Sequence, residues 1–347
     1  MPTEALVSAI REISVPHRFS VIIVHRGGAP MLLQALAALA AAISTERDEV
    51  IVVDNHSGDD SIEQLRMIHP EVRVLANAWN LGFARACNQA IAQVSAEYVL
   101  LLNNDAFVAA DVLDRFEEAF DRFPRLGVIG GQFVGPDGRA LPSDRPIPNA
   151  WDALAPKTLQ RPARRRRLGR LLEVEAVTGA CLAVRAAAIR EVGPLDDDFF
   201  FYLEDLEWCR RMRARGWTVA RDPEARVMHL VSATARYLPR GAQIEMLRSR
   251  LLLYRKIMHP AVAGVIEAGR FLRLIVDALF HLLTTGLTAG LLPGPRRRLG
   301  KYAFLAAWMM LGKPDSWGLP DKPPRAQPLT ALPEASRRPE AETIPSD

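Results

Sequence analysis

The sequence predicts an α/β protein in which a mostly parallel sheet is flanked by helices and followed by a helical C-terminal appendage. Three features predict this fold class. Strand and helix patterns alternate in the first part of the chain, the strands are continuously apolar, and the pattern becomes wholly helical beyond Gly241. Continuously apolar strands separated by helices indicate a parallel sheet that is covered on both faces. With 347 residues, the chain is long enough for one large domain with an appendage, or for two smaller domains.

The elements of the main domain follow one another as strand and helix. The predicted strands are residues 20–25, 50–54, 72–75 and 98–102, and the helices after them are residues 31–44, 60–70, 82–94 and 111–123. Asp60 and Glu63 resemble a capping box at the start of the second helix. Regular structure returns at residues 175–184, a helix follows from Arg185, and strands at residues 218–220 and 226–229 close the domain.

Composition divides the chain into further segments. Residues 1–18 are predicted to be an N-terminal extension, residues 19–240 the main domain, and residues 241–312 a helical region. Residues 135–172 are rich in Pro, Gly and Arg, which predicts a long mobile loop with a functional role, because structureless insertions seldom persist in compact domains. The Pro-rich residues 313–347 are predicted to be a disordered tail.

The charge of the chain is mild, with a net charge of +4 and a pI near 9.1, and does not indicate a nucleic-acid partner. The excess of arginine is local, at residues 164–167 and 296–298. Such clusters suit phosphate groups or an anionic membrane surface, and a solvated loop is the alternative. The three cysteines form neither a metal pattern nor a disulfide framework, and no signal-peptide pattern is present, which together favour a cytoplasmic protein.

Residues 272–292 are strongly apolar but contain Arg273, Asp277 and His281. A spanning helix needs about 20 residues almost free of charge, so a transmembrane segment is not expected. The nearby arginines favour helices that lie on the cytoplasmic face of the inner membrane, with peripheral contact only. A helical appendage packed on the domain is the alternative.

Polar residues follow the apolar strands at Asp54, at Asn103-Asn104-Asp105 and at His229. Ligands of open α/β sheets bind at the carboxyl ends of the strands, so these residues are candidates for a site. Neither a dinucleotide-binding glycine fingerprint nor a P-loop is present. A carboxylate at Asp54 can accept the imide N–H of uracil or thymine, and one at Asp105 can hold Mg²⁺ or Mn²⁺. Each can also be ordinary turn chemistry, and a lone His at a strand end is more often structural.

An acidic pair, Glu204 and Asp205, follows an aromatic run at residues 199–202 and opens a helix. Acids at a helix N-terminus are stabilised by the helix dipole, which is the simplest explanation. Two acids behind an aromatic wall also suit a general base in a partly dry pocket.

Five ordered segments together resemble glycosyltransferase family 2, with the GT-A fold, and its bacterial rhamnosyltransferase-like branch. The segments are SVIIV from Ser20, EVIVVDNHSGDDS from Glu49, NLGFARACNQAI from Asn80, YVLLLNNDAFV from Tyr98, and VTGACLAVR with LDDDFFFYLEDLEWCRRMRARGW between Val177 and Trp217.

The resemblance implies a role for each matching residue. It implies that Asp205 is the catalytic base, with Glu204 as its acidic neighbour, and that Asp105 and His229 lie at an Mn²⁺ or Mg²⁺ ion. The residues implied to bind the nucleotide-sugar donor are Asp54, Asn55, Asn80, Gly82, Asn88 and Asn103.

Three positions depart from the family pattern. His25-Arg26 replaces the pair common after the first strand, the residues after His229 lack a glycine, and the metal motif begins with Asn103 rather than Asp.

The resemblance implies an inverting, metal-dependent transfer of a sugar, with dTDP-rhamnose or a UDP-sugar as donor. The acceptor would be a hydroxyl of a cell-surface polysaccharide or of a polyprenyl-linked glycan in the bacterial cell envelope. Two alternatives remain open. A sugar-nucleotide pyrophosphorylase also uses an α/β sheet and Mg²⁺, and a non-catalytic scaffold in glycan assembly could keep the fold. Retention of Asp54, Asp105 and Asp205 together argues against the scaffold.

Overall fold

The computed structural model describes residues 17–155, 159–230, 239–289 and 291–323. The expected N-terminal extension lies outside the described residues, except that Arg18 is buried and bonded to Asp48 by two of its guanidinium nitrogens. Of the expected disordered tail, residues 324–347 lie outside the described residues. Residues 313–323 differ from that prediction, because they contain a 3₁₀ turn and an ion pair with the sheet domain.

Strands and helices alternate from Phe19 to Asn103, several strands follow one another directly between Asn103 and His229, and helices dominate after Pro239. The strands are β1 Phe19–His25, β2 Asp48–Asp54, β3 Arg73–Ala76, β4 Tyr98–Asn103, β5 Ala106–Val108, β6 Leu126–Val134, β7 Asp144–Arg145, β8 Arg166–Leu168, β9 Leu171–Glu173, β10 Ala176–Val177, β11 Cys181–Arg185 and β12 Thr218–His229. The helices are α1 Ala29–Ala40, α2 Ser61–Ile68, α3 Phe83–Ile91, α4 Val112–Arg122, α5 Ala150–Leu154, α6 Ala186–Val192, α7 Glu204–Ala214, α8 Pro239–Ile257, α9 Pro260–Leu287 and α10 Pro293–Met310, followed by a 3₁₀ turn at Asp315–Trp317.

The main sheet has the order β3-β2-β1-β4-β11-β6-β12-β9-β8, with β5 added beside β12. Its strands run in one direction except β5, β9 and β11, which are antiparallel to their neighbours. The predicted class, a mostly parallel sheet flanked by helices, is therefore confirmed. The antiparallel strand β11 lies between β4 and β6, so its first residue, Cys181, lies beside Leu102 near the carboxyl end of β4.

The sheet is buried on both faces, as its apolar strands predict. In β1, Val21 and Ile23 pack into one hydrophobic layer with α1 and α4, whereas Ile22 packs into the opposite layer with α3 and α7. Successive side chains of a strand point to opposite faces, so an unbroken run of Val and Ile fills both layers. Burying each such side chain stabilises the fold by roughly 1.5–3 kcal/mol.

The structure differs from the prediction of one long loop at residues 135–172. The segment contains β7, the short helix α5 and the hairpin β8–β9, and β9 pairs with β12 at Ala220↔Glu173. The strands are only two or three residues long, and arginines on them are paired with acids, as in the ion pair of Arg166 with Glu173. Short strands that carry charged side chains lack the apolar periodicity on which the prediction depends. Similarly, the two strands expected at residues 218–220 and 226–229 form the single strand β12, which has a register irregularity between Asp222 and Arg226.

The C-terminal helices pack against the sheet domain and against each other. Leu253 of α8 lies in the core layer of α3 and α7, and α9 and α10 form a hairpin. No helix within the described ranges is both long and apolar enough to cross a membrane. After the 3₁₀ turn, residues 318–323, here called the C-terminal strap, return to the sheet domain, where Arg26 forms an ion pair with Asp321.

Candidate active site

The carboxyl ends of β1, β2 and β4 bring several predicted site residues to one edge of the sheet. The parallel registers place His25 beside Asp54 and Val24 beside Asn103. Because β1 lies between β2 and β4, the residues that follow all three strands share this edge.

Asp105 and His229 are brought into direct contact. β5 starts immediately after Asp105 and pairs antiparallel with the end of β12, which places His229 opposite Ala106. His229 Nε2 lies 3.2 Å from Asp105 Oδ1, and both side chains are almost fully buried. The backbone N–H of Leu230 also donates to the carbonyl of Asp105 at 3.1 Å, and the ring of Phe133 packs on His229 at 5.0 Å. The two side chains are therefore held at the sheet edge by backbone pairing and ring packing.

Oxygen and imidazole nitrogen together suit a divalent cation. Within the described ranges, however, no group of three or more His, Cys, Asp or Glu side chains could hold a metal ion. Two protein ligands fit a Mg²⁺ or Mn²⁺ ion that takes its remaining ligands from water and substrate phosphates, which is usual for sites that bind nucleotides.

Asn55 holds the loop before α3. Its Nδ2 donates to Asn80 Oδ1 at 3.0 Å and to the carbonyl of Gly82 at 3.1 Å, and its Oδ1 accepts from the backbone N–H of Leu81 at 2.9 Å. The predicted donor residues Asn55, Asn80 and Gly82 therefore form one buried network. Asn55 shapes this loop, and its own polar atoms are occupied by the loop.

Gly82 is the position where the backbone requires glycine. Its φ is +80°, and a Cβ there would overlap the carbonyl oxygen of Phe200, to which the N–H of Phe83 donates at 2.7 Å. On the other side of the loop, the strap covers Asn80. The backbone N–H of Asn80 donates to the carbonyl of Asp321 at 2.8 Å, and its Nδ2 donates to the carbonyl of Pro320 at 3.2 Å.

Asp54 takes part in the turn that follows β2 through one of its two carboxylate oxygens. Its Oδ1 accepts the N–H of Ser57 at 2.9 Å, which is the turn chemistry considered from the sequence. Its second oxygen has no hydrogen-bond partner among the described residues. The rings of His56 and Trp79 stack nearby at 6.4 Å, and Trp79 is 39% exposed. This aromatic pair was not found from the sequence, because its two residues are brought together only by the loops.

Asn88 lies away from these residues. Its side chain bonds to both backbone groups of Leu195, at 2.7 Å and 3.0 Å, and to Asp197 Oδ1 at 2.6 Å. It fastens the segment before the aromatic run to α3, and no hydrogen bond in the described part of the chain links its side chain to the loop of Asn80 to Gly82. These contacts fix the position of the Asn88 side chain, and the donor-side role that the resemblance implies for it stays a prediction.

Asn103 ends β4 without a side-chain hydrogen bond among the described residues.

Asn104 faces the buried His25, with Nδ2 at 3.0 Å from His25 Nδ1, and His25 Nε2 lies 2.9 Å from Ser61 Oγ. Burial lowers the pKa of His25, so the ring is neutral at neutral pH. His25 therefore supports the ends of β1 and β4.

Glu204 and Asp205 begin α7 after two residues with left-handed backbone, Tyr202 at φ 75° and Leu203 at φ 70°. Bulky residues rarely adopt this conformation, which costs of order 1–3 kcal/mol each and is concentrated at functional sites. Each oxygen of Asp205 accepts a backbone N–H at 2.7 Å, one from Gly179 and one from Leu206. These contacts fix the orientation of the Asp205 carboxylate.

Glu204 is fully enclosed and differs electrostatically from its neighbour. Burial, and then the negative charge of Asp205, raise the pKa of Glu204. Its Oε2 is a buried atom with no hydrogen-bond partner among the described residues. The pair therefore combines one carboxylate held by backbone N–H groups with one carboxyl group that favours its protonated form.

The turn at residues 178–180 connects the acidic pair to the end of β4. Gly179 donates to Asp205, and the next residue, Ala180, accepts the backbone N–H of Asn103 at 3.0 Å. A Cβ at Gly179 would lie only 3.2 Å from the Cβ of Asp205, so glycine allows the close approach. Gly179 has no role in the sequence prediction. The signal was available in VTGACLAVR, where a glycine precedes an apolar strand.

Comparisons with known proteins identify the family of the chain. Residues 20–193 match the family described as Glycosyl transferase family 2. The N-acetylglucosaminyl-diphospho-decaprenol L-rhamnosyltransferase of Mycobacterium tuberculosis is 30% identical over 229 residues, which cover 58% of this chain and 72% of that protein. The poly-beta-1,6-N-acetyl-D-glucosamine synthase of Staphylococcus aureus is 26% identical over 196 residues, covering 56% of this chain and 45% of that protein.

A solved structure shows the same fold. The mannosyltransferase PcManGT from Pyrobaculum calidifontis, in complex with GDP-Man and Mn²⁺, aligns with a TM-score of 0.51 and 17% identity over 88% of each chain. The family match over residues 20–193 agrees with the relatives and with the fold, and the chain belongs to glycosyltransferase family 2, with the GT-A fold.

Proposed function

We propose that this protein is an inverting, metal-dependent hexosyltransferase that moves rhamnose or a related hexose from a dTDP- or UDP-sugar to an acceptor hydroxyl. The observation that carries the proposal is the arrangement of two acidic centres at one edge of the sheet. Asp105 is paired with His229, and Asp205 is bonded to the turn that contacts the end of β4.

The Asp105–His229 pair is the proposed metal site. When bound, Mn²⁺ or Mg²⁺ supplies positive charge that stabilises the departing nucleoside diphosphate. A second line of support is the Mn²⁺ in the complex of the mannosyltransferase with the same fold. The ring of Phe133 and the backbone pairing of β5 with β12 hold both ligands in place before the ion arrives.

Asp205 is the proposed general base. Its carboxylate accepts a proton from the acceptor hydroxyl while the hydroxyl oxygen attacks the anomeric carbon and the bond from that carbon to the diphosphate oxygen breaks. One displacement inverts the anomeric configuration. The N–H groups of Gly179 and Leu206 orient the carboxylate, and each oxygen has a further lone pair for the hydroxyl proton. Glu204, whose pKa is raised by burial, is less suited to hold a negative charge ready for this step.

The nucleotide base of the donor is proposed to bind at the sheet edge beside Asp54. The second oxygen of Asp54, which has no hydrogen-bond partner among the described residues, can accept the imide N–H of uracil or thymine. The exposed Trp79 offers an aromatic surface for stacking. Asn55, Asn80 and Gly82 position the neighbouring loop. The proposed donors are thus dTDP- and UDP-sugars, and the mycobacterial relative supports rhamnose.

The proposed acceptor is a lipid-linked glycan or a growing cell-surface polysaccharide, as the names of both relatives suggest. Helix α9 supports a lipid-linked acceptor, because a row of its apolar side chains is more than half exposed. The row consists of Val265, Leu272, Val276, Leu279, Phe280, Leu283 and Leu287. With the arginines at 296–298 on α10, this face suits peripheral attachment to an anionic membrane surface on the cytoplasmic side.

The test is a turnover assay of the full chain with dTDP-rhamnose and a panel of UDP-sugars, in Mn²⁺ and in excess EDTA. We expect metal-dependent release of nucleoside diphosphate, and a product whose anomeric configuration, read by NMR, is opposite to that of the donor. Release of pyrophosphate would instead support the pyrophosphorylase alternative. Absence of turnover with all donors and acceptors would support a non-catalytic scaffold.

A further inference from the structure

A buried acid of α8 anchors the C-terminal strap, residues 318–323. Glu245 has no solvent exposure, and its Oε1 accepts the backbone N–H of Leu319 at 3.0 Å and the ammonium group of Lys322. A Cβ at Gly318 would overlap the same oxygen, so glycine is needed where the strap begins. Burying a carboxylate is costly unless it is paired and hydrogen-bonded. Glu245 and the strap therefore stabilise each other.

From this anchor the strap reaches the loop that precedes α3. The backbone N–H of Asn80 donates to the carbonyl of Asp321 at 2.8 Å, and its Nδ2 donates to the carbonyl of Pro320 at 3.2 Å. Asn80 Oδ1 in turn accepts Nδ2 of Asn55 at 3.0 Å and the N–H of Gly82 at 3.1 Å. Asn80 is only 3% exposed, so moving the strap away would leave two buried donors without partners. Asn80 therefore couples the loop to the strap.

The strap also holds the residue that follows β1. Asp321 forms an ion pair with Arg26. The parallel register places His25 beside Asp54, so Arg26 lies at the sheet edge where Asp54 ends β2. Asp321 has a left-handed backbone with φ 62°, a conformation that aspartate and asparagine tolerate better than most residues and that proline cannot adopt. The contacts of the strap with Arg26 and with the loop thus meet at one backbone turn.

A second contact of the strap reaches the aromatic run before the acidic pair. The ammonium group of Lys322 lies over the ring of Phe200, 4.1 Å from its centroid. The carbonyl of Phe200 accepts the N–H of Phe83, which follows the loop. The strap and the aromatic run therefore hold the loop from two sides. Trp79, the proposed stacking surface for the base, directly precedes Asn80 in this loop.

We propose that Asp321 of the strap is a positioning residue for the nucleotide base of the donor. It acts through Arg26 and Asn80, and by fixing these two residues it holds Trp79 beside Asp54 before the nucleotide arrives. A preformed pocket avoids the entropic cost of ordering a loop on binding, so loss of the strap contacts lowers nucleotide affinity. This inference rests on the proposed function and adds a determinant of donor affinity to it.

The experiment measures binding of UDP and of dTDP to the full chain by isothermal titration calorimetry in Mn²⁺. Asp321→Asn removes the charge and still tolerates the left-handed backbone, so it tests the ion pair alone. It should weaken nucleotide binding by up to about fivefold, the scale of a partly exposed ion pair. Asp321→Pro cannot keep φ 62° and withdraws the carbonyls from Asn80 as well, so it should weaken binding about tenfold or more.

The matched control is Glu118→Gln, which breaks the ion pair of Glu118 on α4 with Arg170 in the turn between β8 and β9. The side chains of that pair are 61% and 30% exposed, against 44% for Asp321 and 29% for Arg26. The control should leave nucleotide affinity unchanged. Hydrogen exchange gives a readout that needs no ligand: the N–H of Asn80 should exchange faster in Asp321→Pro than in the control, because its acceptor has moved.

Steady-state kinetics separate positioning of the donor from a general loss of structure. The Asp321 variants should raise the KM of the nucleotide sugar, while kcat at saturating donor and the KM of the acceptor change little. Unchanged nucleotide affinity in both variants, or no affinity of the wild-type chain for either nucleotide, would overturn the inference. Tighter binding in the variants would mean that the strap competes with the donor, and would also overturn it. Release of nucleoside diphosphate by the wild-type chain tests the proposed function independently, so the two can fail separately.

Discussion

Replacing Asp205 by Asn removes the proposed base and also changes a buried hydrogen-bond set. Each carboxylate oxygen accepts one backbone N–H, from Gly179 and from Leu206, both at 2.7 Å. An asparagine offers only one oxygen, so its NH₂ group must face one of these N–H donors. A hydrogen bond to a charged group contributes about 1.5–3 kcal/mol, which sets the cost of this loss. Removing the charge beside Glu204 offsets part of it, because that charge raises the pKa of Glu204.

Comparing the energies of catalysis and of folding shows which of the two Asp205→Asn should lose. A positioned general base contributes about 10²–10⁴ to kcat, which is ~2.7–5.5 kcal/mol of barrier. The stability loss of at most about 3 kcal/mol is smaller than the ~5–15 kcal/mol that typical domains possess. Asp205→Asn should therefore stay folded, with its Tm lowered by no more than about 12 °C, while kcat falls by about 10²–10⁴.

The assay measures kcat and donor KM from nucleoside-diphosphate release, together with a thermal melt of each variant. Donor KM should change little, because the base contacts the acceptor. Glu204→Gln is the matched control, since it removes the neighbouring carboxylate, and it should cost distinctly less in kcat. If Asp205→Asn retained most activity and Glu204→Gln were inactive, the two roles would have to be exchanged.

Three further predictions follow from the site. Asp105→Ala should abolish turnover without unfolding the chain, whereas His229→Ala should reduce kcat less; full activity in excess EDTA would contradict the metal assignment. Glu204→Gln should raise Tm more at pH 8 than at pH 5. The pKa of Glu204 is higher in the folded chain than its unfolded value of about 4.5, so the wild-type chain loses stability as pH rises above that value, and the Gln variant does not. An equal Tm difference at both pH values would contradict the burial of an ionisable group there. Gly82→Ala should lower Tm more than Gly28→Ala, since both have positive φ but only Gly82 lacks space for a Cβ; equal melts would refute the clash with Phe200.

The strand ends could be predicted because each depends on a local pattern. The apolar runs of β1, β2 and β4 predict parallel neighbours, and their registers then bring Asp54 and Asn103 to one edge. The contact of Asp105 with His229 was implied by the resemblance, and its cause, the three-residue strand β5, is too short for any pattern to indicate.

Other parts of the site depend on contacts between distant segments. The hydrogen bonds of Asn55 show that it shapes a loop, and those of Asn88 show that it fastens another, but amides at such positions look alike in a sequence.

The C-terminal strap affects the order in which parts of the chain fold. The ion pair of Arg26 with Asp321 spans 295 positions, and the bond of Asn80 with Pro320 spans 240. Contacts this distant close large loops, so their entropic cost delays them until the rest of the fold has formed. During synthesis, the sheet edge leaves the ribosome long before residue 321 exists. The loop of Asn80 to Gly82 therefore reaches its final geometry last, and a nascent chain with a finished sheet still has an open edge beside Asn80.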